Sequence, residues 1–395
     1  MINESMYQLG SKPSCIRELF MYGMKQAAIV GKENVYDFSI GNPSVPAPEA
    51  VTEAFRAMTA QEDTLAIHSY TPAGGAPDAR AAVAADLASR TNTPVRAENV
   101  FFTCGAAPAL ASVLRALAVE NSEIIAITPY FPEYRPFVEF SGSKFVAVPA
   151  DMENFQINFA ELEKRINANT QAVMVNSPNN PSGAVYTLET LQTLAKLLTA
   201  KSQEYGHPIY VIADEPYREL VYDDAYVHYI PAIYPNTIIC YSYSKVFSLP
   251  GERIGYFFVP DCVEDGQRLF AAAAGAARIM GHVCAPSLQQ QVVKACASVK
   301  PDLTEYDRNR TLLYEALTEY GYTCVKPQGA FYLFVKAPYG TAKEFSDRAK
   351  MENLLIVPGD DFGCPEYFRA STCVSNDMIR RSLPVFRALM EEFRK

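Results

Sequence analysis

Between about residue 98 and residue 260 the sequence alternates short β-rich runs with helical patterns, and this alternation restricts the chain to few folds. The predicted strands are 100–103, 123–128, 144–148, 171–176, 208–213, 237–241 and 253–259. An Ala/Leu-rich helix is predicted from Pro108 to Val119, directly after the first strand. Apolar strands that alternate with helices are typical of a mainly parallel sheet covered on both faces. The sequence therefore predicts an α/β fold, in which ligands gather at the carboxyl ends of the strands.

The two ends of the chain differ from this middle part. Residues 14–30 show one amphipathic helical pattern, and a proline-rich connector spans 40–48. After about residue 290 the pattern predicts a long helix, a strand over 329–335, a helix, a short strand over 354–357 and a terminal helix from about 376. Helices and strands without strict alternation are typical of an α+β domain. We therefore predict a large domain over 47–290 and a smaller, discontinuous domain formed by 1–46 with 291–395.

The composition argues against several classes of protein. The 395-residue chain is 49% hydrophobic and 20% charged, as in ordinary globular proteins. Its net charge of −9 and the lack of a basic tract argue against nucleic-acid binding. No apolar run reaches membrane-spanning length, and the first residues lack the basic and apolar regions of a signal peptide. Nine cysteines without a Cys-x-x-Cys pair and four dispersed histidines predict free thiols, no metal site and a cytoplasmic location.

A lysine motif follows the predicted strand 237–241. It reads Ser242-Tyr-Ser244-Lys245, and Arg253 lies eight residues after the lysine. A lysine amine becomes nucleophilic when burial or nearby cations lower its pKa, and serine and arginine side chains hold phosphate groups. By itself the motif is also compatible with solvated surface, or with the Ser-x-x-Lys nucleophile of penicillin-binding enzymes. Those enzymes also need Ser-Asp-Asn and Lys-Thr-Gly elements, which this sequence lacks.

Other polar motifs also follow predicted strands. They are Thr103-Cys-Gly105-Ala106-Ala107-Pro108, Pro129-Tyr-Phe131-Pro-Glu-Tyr134, Ser177-Pro-Asn-Asn180-Pro-Ser-Gly183 and Asp214-Glu-Pro-Tyr217. Each has a simpler explanation when taken alone, because Asp caps helices, Asn-Pro-Ser-Gly forms turns and proline suits a first helical turn. Their shared position at strand ends predicts one common site.

Taken together and in this order, the motifs resemble the pyridoxal-phosphate aminotransferases of fold type I, the aspartate aminotransferase-like class I/II family. The resemblance extends over essentially the whole chain. It implies a mainly parallel central sheet in a large domain, with a smaller α+β domain formed by both chain ends. It also implies transfer of an amino group between an L-amino acid and a 2-oxo acid by ping-pong chemistry, with 2-oxoglutarate expected as one partner.

The resemblance implies a role for each residue around the cofactor ring. Lys245 holds the aldehyde of pyridoxal 5′-phosphate as an internal aldimine and later moves a proton between the substrate Cα and the cofactor. Asp214 pairs with the pyridine nitrogen and keeps it protonated, so that the ring acts as an electron sink. Tyr217 and Asn180 donate hydrogen bonds to the 3′-oxygen, and Phe131 stacks on the ring.

The resemblance further implies a phosphate cup at the start of a helix, where the helix dipole favours anions. Its members are the backbone amides of Gly105, Ala106 and Ala107 with the side chains of Ser242, Ser244 and Arg253. Tyr70 matches the family tyrosine that reaches the phosphate from the partner subunit. The active unit is therefore expected to be a C2 homodimer.

On the substrate side, the resemblance assigns the α-carboxylate to Arg369, with help from Asn180 and the backbone amide of Gly41. A surface ion pair is the alternative explanation for Arg369. Recognition of a distal carboxylate would need a further basic residue, for which Arg278 and Lys12 are candidates. Otherwise the pocket would be apolar or aromatic, with Tyr22, Tyr130 and Tyr332 as candidate linings. The sequence leaves the substrate amino acid open.

Two other functions use the same fold. Carbon–sulfur β-lyases and cyclising lyases share the lysine, aspartate and arginine equivalents, so these residues do not separate them from transaminases. A non-catalytic sensor domain of a transcription factor would require a winged-helix domain and a basic patch. The expected small domain already occupies the beginning of this sequence, which disfavours that alternative.

Overall fold

The computed structural model describes residues 1–11, 14–91 and 93–393. Within these ranges the helices are α1 (Glu4–Ser11), α2 (Cys15–Val30), α3 (Glu49–Thr59), α4 (Thr64–His68), α5 (Pro77–Thr91), α6 (Ala106–Leu117), α7 (Tyr134–Ser141), α8 (Phe159–Arg165), α9 (Leu188–Tyr205), α10 (Gly266–Ile279), α11 (Ser287–Cys296), α12 (Thr304–Tyr320), α13 (Ala342–Met351) and α14 (Asn376–Phe393). None of them is both long and apolar enough to cross a membrane.

The strands are short and most are buried. In chain order they are β1 (Tyr36–Asp37), β2 (Val100–Thr103), β3 (Glu123–Ile127), β4 (Lys144–Val148), β5 (Thr170–Asn176), β6 (Tyr210–Asp214), β7 (Thr237–Ser242), β8 (Gly255–Phe258), β9 (Thr323–Cys324), β10 (Tyr332–Lys336), β11 (Leu354–Leu355), β12 (Val357–Pro358) and β13 (Tyr367–Ser371). Every strand predicted between residues 98 and 260 is present, so the predicted alternation is confirmed.

The chain forms two compact units. The large unit comprises residues 45–179 and 184–302, and the small unit comprises 1–44, 180–183 and 303–395. Residues 291–302 belong to the large unit because α11 packs against α3 and α5. The four-residue segment 180–183 belongs to the small unit, which the sequence did not indicate. The domain boundaries 47–290 and 1–46 with 291–395 stay a prediction.

The sheet of the large unit has the order β2-β8-β7-β6-β5-β3-β4. Strands β4, β3, β5, β6 and β7 run parallel, and β8 is antiparallel to both of its neighbours. Between β7 and β8 the chain forms only turns and a one-turn 3₁₀ helix, Pro250–Glu252. A parallel return would need a longer crossover, usually a helix. The predicted mainly parallel α/β fold is confirmed.

Alternate residues of one strand enter two different cores. On β3, Ile125 and Ile127 lie in one hydrophobic cluster, whereas Ile124 and Ala126 lie in the other. Side chains of a strand alternate between the two faces of a sheet, and helices cover both faces here. The uninterrupted apolar runs of the sequence therefore mark strands that are buried on both sides.

The small unit is built around the antiparallel sheet β12-β13-β10-β9, with β1 paired to β11 in parallel. Its core includes Phe38, Leu333 and Phe368. The predicted terminal helix is confirmed as α14. The strand predicted over 329–335 begins later, at Tyr332, because the backbone turns at Ala330, whose φ is 57°.

Candidate active site

Polar side chains of the large unit meet where parallel strands end. Asp214 is the last residue of β6, and it is buried together with the last residue of β5, Asn176. The Asn176 side-chain amide donates to the Asp214 carbonyl oxygen at 2.8 Å. The neighbouring strand therefore fixes the backbone of Asp214, and the carboxyl group is attached to a rigid part of the sheet.

Only one of the two Asp214 carboxyl oxygens has a hydrogen-bond partner among the described residues. Its Oδ2 accepts a hydrogen bond from the Tyr134 hydroxyl at 2.5 Å. Its Oδ1 has no hydrogen-bond partner among the described residues. Burial raises the pKa of Asp214 to about 7, the Tyr134 hydrogen bond opposes this rise, and the nearby Glu215 charge adds to it. A buried oxygen without a donor is costly, so Oδ1 is suited to a ligand that brings an N–H group or a positive charge.

Tyr134 is a site residue that the sequence did not reveal. Burial and the adjacent Asp214 carboxylate raise its pKa well above the ordinary value, so the hydroxyl stays a neutral donor. The Phe131 ring lies edge-on to it, with 5.7 Å between the ring centroids. Tyr217 is also buried and interacts electrostatically with Tyr134. The structure thus gathers Phe131, Tyr217 and Asp214 around one unpredicted tyrosine.

The residues predicted to form the phosphate cup lie together in the large unit. Arg253 donates to the Cys104 carbonyl oxygen at 3.1 Å and to Ser244 Oγ at 3.3 Å. Ser242 Oγ lies 2.8 Å from Ser244 Oγ. Gly105 precedes the first residue of α6 with a φ of 93°, and a Cβ at this position would collide with the Arg253 guanidinium. Glycine is required here both for its conformation and for the close approach.

The residues of the cup and of the β6 end fit the groups of pyridoxal phosphate. The cup combines a cation, two hydroxyls and the amino end of α6, which begins with Ala106 and Ala107, and this is a donor set for a phosphate. The unpartnered Asp214 Oδ1 suits a protonated ring nitrogen. Lys245 directly follows Ser244 in the turn after β7 and is half-buried.

The small unit holds a second buried charge, Arg369, on β13. The residue is 2% exposed, and the centre of its guanidinium lies 4.5 Å from the Tyr332 ring centroid. Its Nη1 donates to Asn180 Oδ1 at 3.1 Å, and its Nη2 donates to the Ser39 carbonyl oxygen at 2.5 Å. Its Nε has no hydrogen-bond partner among the residues the structure describes.

Arg369 is therefore no surface ion pair, because it is buried and its partners are neutral. A buried guanidinium that has no acid among its partners in the described part of the chain binds a carboxylate strongly. Gly41 lies two residues after Ser39, and a Cβ at Gly41 would collide with the Tyr332 hydroxyl. The three residues predicted to bind the substrate, Gly41, Asn180 and Arg369, thus belong to one cluster of the small unit.

Some predicted residues are not gathered at these clusters. The Tyr70 side chain is 87% exposed, so the single chain does not bury it against the cup. Arg278 is exposed in the last turn of α10. Lys12 lies outside the described residues.

Comparison with known proteins gives a consistent result. The model of the family Aminotransferase class I and II matches residues 33–385. The chain is 53% identical to an aminotransferase from Eubacterium rectale of known crystal structure, with a TM-score of 0.98 over 100% of both chains. It is 30% identical to an aspartate aminotransferase from Pyrococcus abyssi over 96% of both chains. It is 29% identical to aromatic-amino-acid aminotransferase 2 from Thermococcus litoralis, again over 96% of both chains.

Proposed function

Because this chain belongs to the class I and II aminotransferases and is a pyridoxal-phosphate enzyme, we propose that its cofactor is attached to Lys245. The amino group would pass between an L-amino acid and a 2-oxo acid, with 2-oxoglutarate as one partner. The placement of pyridoxal phosphate at this site rests on the buried Asp214 Oδ1, which lacks a donor among the described residues. A protonated ring nitrogen is the group that would satisfy it.

When bound, pyridoxal phosphate supplies an electron sink for the carbanion that forms at the substrate Cα. Asp214 would hold the proton on the ring nitrogen, and Tyr134 would stabilise the Asp214 carboxylate by donating to Oδ2. The Lys245 amine would remove the proton from the substrate Cα. Tyr217 and Asn180 would donate hydrogen bonds to the 3′-oxygen. Gly105, Ala106, Ala107, Ser242, Ser244 and Arg253 would hold the phosphate.

Arg369 would bind and orient the substrate α-carboxylate. Its guanidinium is held from three sides by Asn180 Oδ1, the Ser39 carbonyl oxygen and the Tyr332 ring, which leaves Nε for a ligand. Because these partners are fixed before substrate arrives, little rotamer entropy is lost on binding. Gly41 would bring its backbone amide to the same carboxylate.

The active unit would be a homodimer, with Tyr70 completing the cup of the partner subunit. Its exposed position in the single chain supports this assignment. We also propose a cytoplasmic location, which the nine free cysteines support because a reducing compartment keeps thiols unpaired.

A half-reaction screen tests the function and identifies the substrate. Each L-amino acid is mixed with purified holoenzyme while the absorbance band of the bound cofactor is followed. Conversion to the amine form of the cofactor, reversed by 2-oxoglutarate, is expected for a transaminase. Release of pyruvate and ammonia without this conversion would instead indicate a β-lyase. Conversion by aspartate or glutamate would favour a basic residue such as Arg278, and conversion only by apolar amino acids would favour an apolar pocket.

A Lys245→Ala variant is the control for the attachment site. It should lose both the absorbance band of the attached cofactor and turnover, while Lys144→Ala, which removes a surface lysine paired with Glu123, should keep both. A Lys245→Ala protein that retained the band and full activity would contradict the assignment.

A further inference from the structure

We infer that Arg310 is a positioning residue for the pair formed by Asn180 and Arg369, an inference that rests on the proposed binding of the substrate α-carboxylate. Arg310 lies on α12 and is only 1% exposed. Its Nη1 donates to the Pro327 carbonyl oxygen at 2.6 Å, and its Nε donates to Asp307 Oδ1 at 3.0 Å. Burial of a guanidinium is costly unless its N–H groups are paired. The Arg310 guanidinium is paired with the Asp307 carboxylate and with the Pro327 carbonyl oxygen.

Pro327 begins the turn that fixes the segment 180–183. The backbone amides of Gln328 and Gly329 both donate to the Gly183 carbonyl oxygen at 2.9 Å. Gly183 has a φ of 70°, and a Cβ there would collide with Pro327 and with the Gly329 carbonyl oxygen. Pro327 and Gly183 are therefore in close contact, and a shift of one displaces the other.

The segment 180–183 carries the side chain that meets the guanidinium of Arg369. Asn180 Oδ1 accepts from Arg369 Nη1 at 3.1 Å. Contacts lead from Arg310 through Pro327 to Gly183, the chain of the segment 180–183 connects Gly183 to Asn180, and Asn180 contacts Arg369. All of these residues belong to the small unit.

The residue next to Arg310 holds the other side of the pair. Asn309 is fully buried, and its side-chain amide donates to the carbonyl oxygens of Thr372 at 3.3 Å and Val374 at 2.7 Å. These residues directly follow β13, which carries Arg369. Two adjacent polar side chains of α12 therefore hold both segments from which the guanidinium and its amide partner project.

Removal of the Arg310 guanidinium leaves the Pro327 carbonyl without its donor and frees the turn to move. A displacement of ~1 Å in a substrate-positioning group can cost about a hundredfold in rate. The effect should be specific for the α-carboxylate, because Arg310 acts through the residues that bind it. Among the proposed cofactor residues, those of the large unit lie outside this series of contacts, whereas Asn180 belongs to it.

The test compares two amines that differ only in that carboxylate, L-phenylalanine and phenethylamine. Single-turnover half-reactions of the holoenzyme give kcat/KM for each. In Arg310→Met the ratio of the two values should fall roughly tenfold, mainly through KM, while the absorbance band of the bound cofactor is retained. Arg308→Met is the matched control, since the side chain of this arginine of the same helix is 60% exposed and forms an ion pair with Glu305 at 3.9 Å.

Arg369→Lys separates the failure of this inference from failure of the proposed function. If Arg369→Lys lowers the ratio and Arg310→Met does not, the inference about Arg310 is wrong and the role of Arg369 stands. If Arg369→Lys leaves the ratio unchanged, the proposed α-carboxylate site itself is wrong. If kcat/KM falls equally for L-phenylalanine and phenethylamine in Arg310→Met, the role of Arg310 is merely structural and the inference is overturned.

Arg310→Lys covers the case in which the methionine variant does not fold. Lysine keeps the charge beside Asp307, yet its single ammonium does not reproduce the geometry of a guanidinium that binds Asp307 and Pro327 together. An intermediate fall of the ratio is expected. An unchanged ratio in a folded Arg310→Lys protein would overturn the inference.

Discussion

Asp214 in the large unit and Arg369 in the small unit are both buried charged side chains, and each has one polar atom without a partner in the described structure. They differ in how the protein controls them. Asp214 has its pKa raised to about 7 by burial, so its charge depends on the hydroxyl of Tyr134 and on a bound ligand. Neutral groups fix the position of the Arg369 guanidinium. One site is therefore tuned through protonation and the other through geometry.

This difference predicts two kinetic patterns. Changes around Asp214 should alter kcat and its pH dependence, because the carboxylate acts on charge that develops during the reaction. Changes around Arg369 should raise KM with a smaller effect on kcat, because the guanidinium binds the carboxylate in ground state and transition state alike.

The largest effect is expected for Asp214→Asn. An amide does not hold the proton on the ring nitrogen, so kcat should fall about a thousandfold, or ~4 kcal/mol of barrier, with cofactor still bound. Steady-state kinetics and the absorbance spectrum measure both quantities. Asp86→Asn is the control, because this buried carboxylate pairs with Arg90 at 2.8 Å and should affect stability alone. Near wild-type turnover in Asp214→Asn would show that the carboxylate has another role.

Arg369→Lys should have the next largest effect and the opposite pattern. Lysine offers one ammonium in place of a planar fork that Asn180 and Ser39 hold, so kcat/KM should fall about a hundredfold, mainly through KM. Substrate titrations of the half-reaction separate the two parameters. A loss confined to kcat would remove the distinction between the two sites.

Much of the large unit could be predicted because short stretches of sequence determine where its strands and helices begin and end. The strands 100–103 and 144–148 were predicted to the residue, since each apolar run is bounded by polar or turn-forming residues. The helix predicted from Pro108 begins two residues earlier, at Ala106, because Gly105 precedes it and proline is tolerated in the first turn. Asp214 was predicted to follow the strand 208–213 directly, and it is the last residue of β6.

The contacts that Tyr134 and Ser39 make with distant residues could not be predicted. The Tyr134 hydroxyl and Asp214 are 80 residues apart and come together only because β3 and β6 are separated by a single strand, β5. The sequence did place both residues after predicted strands of one sheet, and this shared edge was the available signal. The partner of Arg369 at Ser39 is a backbone carbonyl, which no residue type reveals.

Tyr134→Phe should have a smaller effect than the two preceding variants, and it tests whether the Asp214 site is controlled through protonation. Loss of a hydrogen bond to a buried carboxylate costs ~2 kcal/mol, so kcat near neutral pH should fall about thirtyfold. The pKa of Asp214 should rise, which moves the acidic limb of the kcat profile to higher pH. Tyr322→Phe removes a comparable buried hydroxyl, bonded to the Phe386 carbonyl oxygen at 2.8 Å, and should leave that profile unchanged. An unshifted profile in Tyr134→Phe would show that the hydroxyl does not control the carboxylate.

The smallest effect concerns the stability of the cofactor-free protein. The folded-state pKa of Asp214 lies near 7, above the value of an unfolded aspartate, so between pH 6 and 8 folding loses stability as the native carboxyl releases its proton. Asp214 should contribute about 1 kcal/mol to this loss, and Glu215, whose pKa burial also raises to about 7, should add a similar amount.

Urea unfolding at pH 6 and at pH 8 should therefore show a smaller loss of stability in Asp214→Asn and an unchanged loss in Arg369→Lys. Bound cofactor should abolish the Asp214 part, because a cation beside Oδ1 lowers that pKa. An equal loss in wild type and Asp214→Asn would show that Asp214 does not titrate in this range, and both buried charges would then be controlled by geometry alone.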